Sequence, residues 1–170
     1  MIALTALALA FAPPAAATEA SPAATAFTQL SALAGTWRNA DQPDSALRVR
    51  FTLTAGGTVL VESWERADGK PHSLTLYHRD GADLIATHYC PQGNQPRLVL
   101  ARSGKSLAFA FRDATDLGRG ESHLHDLSFD LGDLNRPIRT EVYRQGKKRE
   151  ETILHLIRAG PPAPAPDVPA

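Results

Sequence analysis

The chain has a single cysteine, Cys90, in 170 residues. No internal disulfide can form, so stability has to come from a packed core. Neither charge is in excess, with Lys plus Arg and Asp plus Glu at 18 each. That balance gives no electrostatic reason to expect nucleic acid or an anionic membrane surface as a partner. Aromatic residues are few, 6% of the chain, which excludes a broad stacking platform for unpaired bases. The apolar run at residues 2–12 falls well short of the roughly 20 residues that cross a bilayer, so no membrane insertion is expected. Helical periodicity is almost absent. What is present is one domain's length of chain, 43% apolar, which is enough for a real core.

The first residues combine an apolar run with the small-residue stretch Ala15-Ala16-Ala17. This is the layout of a signal peptide's core and cleavage site, although no Lys or Arg precedes the run. Residues 1–26 are therefore read as a signal peptide and leader, and the protein as secreted or periplasmic. The competing reading is a plain Ala/Pro leader. Residues 160–170, GPPAPAPDVPA, read as a disordered Pro/Ala-rich tail. The folded domain is placed at 27–159.

One segment has helical spacing. Phe27, Leu30 and Leu33 recur before Gly35, which predicts a short helix over 27–35. Everything after it alternates β-rich runs with turn signals. The first run starts at Trp37, followed by 47–54, 58–66, 73–80, 83–90, 97–102, 106–112, 122–131, 138–144 and 150–158. Ten strands with short connections predict an all-β, antiparallel up-and-down barrel, which can close on itself and hide both edges. The expected assembly is a monomer or weak dimer.

Gly35-Thr36-Trp37 after a short helix resembles the Gly-x-Trp opening of lipocalin-type barrels. The string from Tyr77-His78 through DGADLIATHYC and GNQPR to HLHD is similar to a group of bacterial secreted barrel proteins. The strand count is nearer the fatty-acid-binding and nitrobindin-like branches of the calycin superfamily. The resemblance implies a calycin-like barrel in which Gly35 and Trp37 sit at a closed end and Arg158, near the end of the last strand, covers the indole. Through the nitrobindin-like branch it hints at haem, with His155 as axial ligand.

Strand parity then places the chemistry. If the Trp37 strand rises from the closed end, residues 58–66 and 83–90 end at the open end and 122–131 begins there. That rim gathers Glu62, Trp64, His72, His88, Tyr89, Cys90, Asn94, Gln95, Arg97, His123 and His125, where barrels usually bind. His88 and Cys90 are i, i+2 on one strand, as are His123 and His125, so each pair shares a face. Imidazole and thiolate suit Zn²⁺, and these four are the candidate metal ligands. The bland alternative is local hydrogen bonding at a polar rim. Cys90 as a nucleophile lacks an acidic group to orient its histidine, since Asp126 alternates away from His125. Arg97 with Asn94 and Gln95 suits an anionic head group. Glu62, on the face of Leu60 and Trp64, is a buried carboxylate seeking Arg97 or a histidine if that face is interior. Leu107, Phe109 and Phe111, with Leu127, Phe129 and Leu131, are candidates to line an apolar cavity. The leading expectation is a binding protein for a small, partly apolar ligand held at the open end. The alternative is an enzyme, or a Zn or haem protein, using the same mouth. A barrel filled by its own side chains is a third option.

Overall fold

A computed structural model of the chain describes residues 20–160 except Ala67. The expected cleavage site at Ala17 and nearly all of the expected Pro/Ala-rich tail lie outside the described residues. A short helix, α1 (Pro22–Ser31), precedes ten strands. They are β1 (Gly35–Asn39), β2 (Arg48–Thr54), β3 (Val59–Glu65), β4 (Pro71–Asp80), β5 (Asp83–Tyr89), β6 (Gln95–Arg102), β7 (Ser106–Thr115), β8 (His123–Asp130), β9 (Ile138–Gln145) and β10 (Lys148–Arg158). Each strand pairs antiparallel with the next, and β1 pairs with β10, so the barrel is closed and no edge is left open. None of the described helices is long and apolar enough to cross a membrane.

The ten strands match the ten sequence runs. The hairpins turn on residues that tolerate positive φ: Gly56 and Gly57 before β3, Gly81 between β4 and β5, and Gly146 between β9 and β10. The helix differs from expectation. It begins at Pro22, not Phe27, because Ser21 caps it by accepting from the Ala24 amide at 3.2 Å and Pro22 occupies the first turn. Ala23, Ala26 and Leu30 face inward and are buried, so residues 22–26 belong to the folded core.

α1 lies against β4 and β5 at one end of the barrel, and Gln29 Nε2 donates to the Gly104 carbonyl of the β6–β7 turn at 3.1 Å. This end is sealed. Trp37 is fully buried, its indole N–H donates to the Leu33 carbonyl at 2.7 Å, and the Arg158 guanidinium carbon sits 4.2 Å from the indole centroid. Arg158 also donates to the Ala34 carbonyl at 2.8 Å and is the ladder partner of Trp37. Gly35 is buried at φ 127°, a backbone setting that favours glycine. Above this plug the lumen is filled by side chains. Phe51, Leu60, Leu84, Leu98, Leu107, Phe109, Leu127 and Phe129 form one packed cluster, so the two apolar faces expected to line a cavity are core. Phe111 is the exception and lies outside that cluster.

Candidate functional site

Inward positions turn polar above the apolar layer. On β3 the alternation Leu60, Glu62, Trp64 puts a carboxylate on the interior face, and Glu62 is fully buried. A bare buried carboxylate is costly, so it has to be partnered. Tyr77 Oη donates to Glu62 Oε2 at 2.5 Å and Trp64 Nε1 to Oε1 at 2.5 Å. From β9 the Arg139 Nε comes within 2.8 Å of the same Oε1, forming an ion pair across the lumen with both side chains buried. Arg139 Nη1 donates to Glu141 Oε2 at 2.7 Å.

The approach of Nε to Glu62 is close but off the N–H axis, and neither Nε nor Nη2 has a hydrogen-bond acceptor. The guanidinium instead lies over rings, 4.9 Å from the Trp64 centroid and 6.0 Å from Phe129. Burial acts to lower the Arg139 pKa, but Glu62, Glu141 and Tyr77 outweigh it and raise the value, so the charge is fixed. Tyr77 is held as the neutral phenol, first by burial and then by the Glu62 charge.

His88 is the second polar centre, one residue from the upper end of β5 and only 2% exposed. Its Nδ1 lies 2.9 Å from Thr75 Oγ1 on β4 and its Nε2 lies 3.0 Å from Tyr143 Oη on β9. Burial first, then the Arg139 and His72 charges, push its pKa down to about 3, so the imidazole is neutral. Thr75 is fully buried and Tyr143 only partly so. The Tyr143 pKa is raised by burial, then by Glu141 and Cys90, and the phenol therefore keeps its proton. Tyr143 borders a recess of about 20 Å³ with Ser122, Gln145, Lys148 and Glu150, room for about one water. These are the inner positions at the open end. The polar interior is thus a mostly buried layer that reaches solvent through Trp64, Tyr143, Cys90 and Glu141, which are all partly buried.

The residues nominated from sequence divide among separate places. Glu62, Trp64 and His88 are in the interior network, with Cys90 beside Tyr143. The ionic partner of Glu62 is Arg139, not Arg97. Arg97 lies on the outer wall, exposed, bidentate to Asp113 at 2.5 and 2.8 Å. Tyr89, Gln95 and Arg97 line an outer groove of about 340 Å³ between β4 and β7, with His78, Thr87 and Arg112. They are outward because Tyr89 alternates with His88 and Arg97 with the buried Leu98. Asn94 is buried and structural, donating to the Ser122 carbonyl at 3.0 Å, which ties the β5–β6 loop to the start of β8. His72 is exposed at the start of β4.

His123 and His125 come to the same end as His88 and Cys90 but do not converge with them. A bulge between Leu124 and Asp126 interrupts the i, i+2 parity. The two imidazoles pack instead on Phe111, with centroids at 4.9 and 5.4 Å, and His125 pairs with Asp126 at 3.1 Å. Both nitrogens of His88 are taken by hydroxyls. Among the described residues no three His, Cys, Asp or Glu side chains are grouped to hold a metal ion, so the four expected Zn ligands do not fit one. His155 faces outward beside the buried Leu154 and Leu156, bonded to Asp41 at 2.6 Å, and cannot reach a haem in the lumen.

Sequence reasoning missed Thr75, Tyr77, Arg139, Glu141 and Tyr143. In IRTEVYR the apolar face, Ile138 and Val142, suggests the core side, yet Arg139, Glu141 and Tyr143 point inward. The available signal was that three polar residues in one phase could be answered by Glu62 and His88 across the barrel.

Neither a protein-family model nor a curated protein matches this chain at a significant level.

Proposed function

We propose that the protein is a calycin-like carrier, acting outside the cytoplasm, that holds a small and partly apolar molecule at the open end of its barrel. One observation carries this reading. A buried hydroxyl–imidazole–hydroxyl chain, Thr75–His88–Tyr143, ends in a partly exposed phenol at the barrel mouth, while the opposite end is plugged by Trp37, Arg158 and α1. Tyr143 is a neutral polar group fixed from below, and it meets solvent at a small recess whose other lining residues, Ser122, Gln145, Lys148 and Glu150, are polar or charged. Cys90 supplies apolar surface beside Tyr143, and the partly exposed Trp64 ring lies against Arg139. Export is supported by the apolar run and Ala15-Ala16-Ala17. A closed sheet has no edge to offer a second copy, in keeping with a monomer or weak dimer.

The test is native mass spectrometry of protein purified from its own cells. The expected result is an added small-molecule mass that denaturation releases. A bare chain, together with no enhancement of an environment-sensitive apolar dye, overturns the reading. The His88–Tyr143 contact is also the observation that favours an enzyme at the same mouth, because it is a proton-transfer geometry. Recovery of the released compound unchanged after incubation separates a carrier from an enzyme.

A further inference from the structure

The direction of the hydrogen bonds through His88 follows from counting protons. Thr75 Oγ1 is buried, and among the described residues its hydroxyl has one hydrogen-bonding partner, His88 Nδ1 at 2.9 Å. If Thr75 accepted from Nδ1, its own proton would be buried with no acceptor, which folded proteins rarely leave. Thr75 therefore donates, and Nδ1 accepts. A neutral imidazole carries one N–H, which must then sit on Nε2. Nε2 meets Tyr143 Oη at 3.0 Å, so it donates and the phenol oxygen accepts. The phenol proton is left pointing away from His88. It faces the Cys90 sulfur, a weak acceptor, and the small recess that Tyr143 shares with Ser122, Gln145, Lys148 and Glu150.

The charges around it restrict what can take that proton. Arg139 supplies one positive charge and is ion-paired with two carboxylates, Glu62 and Glu141. The fixed charge of the triad is net negative, Lys148 and Glu150 at the recess offset one another at 3.9 Å, and an anion brought to the mouth would add to the excess in a partly desolvated site.

We propose that the relay is polarised outward, so that Tyr143 presents its proton at the barrel mouth and recognises an uncharged oxygen acceptor, a carbonyl or ether, on an otherwise apolar ligand. This rests on the mouth being a ligand site. His88 is the positioning residue, fixing which way the phenol donates, and burial that keeps its imidazole neutral keeps the direction constant.

Two measurements test it separately. Isotope-edited NMR of histidine-labelled full chain reads the His88 tautomer without any ligand. The Nε2–H form is expected, and an Nδ1–H form overturns the polarity. Tryptophan fluorescence then compares a methyl ketone, an alkane and a carboxylate of equal chain length. The ketone is expected to bind best, and Tyr143→Phe to weaken it roughly five- to tenfold, the worth of one hydrogen bond, while leaving the alkane unchanged. Carboxylate binding tighter than ketone, or ketone binding indifferent to Tyr143→Phe, overturns the ligand class. If none of the three binds, the carrier reading fails, while the tautomer result still decides the polarity.

Discussion

Arg139 on β9 and Glu62 on β3 meet across the lumen, Nε to Oε1 at 2.8 Å, with both side chains fully buried. Opposed strands of a closed barrel are held at this level by an ion pair in place of apolar packing. Removing one partner strands the other charge, which typically costs about 3–5 kcal/mol. Arg139→Met is expected to lose stability on that scale in urea unfolding. Adding Glu62→Gln to it should restore part of the loss, because the stranded charge is gone. Equal stability of the single and double variants would show that the pair is not coupled.

At the closed end, Trp37→Ala should be among the most damaging single changes, on the order of 3–5 kcal/mol for a fully buried indole. Arg158→Met keeps the stem but loses the cation over the ring and two carbonyl contacts, for a smaller loss of about 1–2 kcal/mol. Thermal melts of both variants check the order. A Trp37→Ala protein with an unchanged melting temperature contradicts the plug.

His88 makes stability depend on pH in a defined window. Its folded pKa, about 3, lies below the ordinary 6.5, so between those values the unfolded chain holds a proton that the folded chain does not. Stability from this group is fully present above pH 6.5 and is lost as pH falls towards about 3, on the order of 5 kcal/mol in all. Urea midpoints measured across that range should decline, and His88→Asn should flatten the decline. A wild-type midpoint that rises on acidification to pH 4 contradicts the sealed, neutral imidazole.

The strand pattern was legible because each hairpin announces itself locally, as in Asp80-Gly81 and Ser103-Gly104, and because parity alone carries Arg158 back to Trp37. The helix start was written in Ser21-Pro22, a cap signal that the spacing of Phe27, Leu30 and Leu33 overshadowed. The site was half legible. Glu62 and His88 were found from their own strands, but their partners come from β4 and β9. Arg139 and Tyr143 are hidden by a strand whose apolar residues face out, and nothing local says which face of IRTEVYR is inside. The bulge at His125 is likewise silent in the sequence, and it separates His123 and His125 from the interior pair.

Export has its own test. N-terminal sequencing of protein purified from its cells should begin after Ala17 or within a few residues of it, given the apolar run and small residues before it. Soluble protein retaining Met1 contradicts it.

The mouth, as opposed to the outer groove, is the central assignment, and NMR mapping of a bound methyl ketone tests it most directly. Titration into labelled protein should shift the Trp64 indole, Tyr143, Glu141 and Cys90, with no change at Thr87, Tyr89, Arg97 or Thr115 on the wall. Shifts confined to those outer residues would place binding on the barrel's surface and contradict the account.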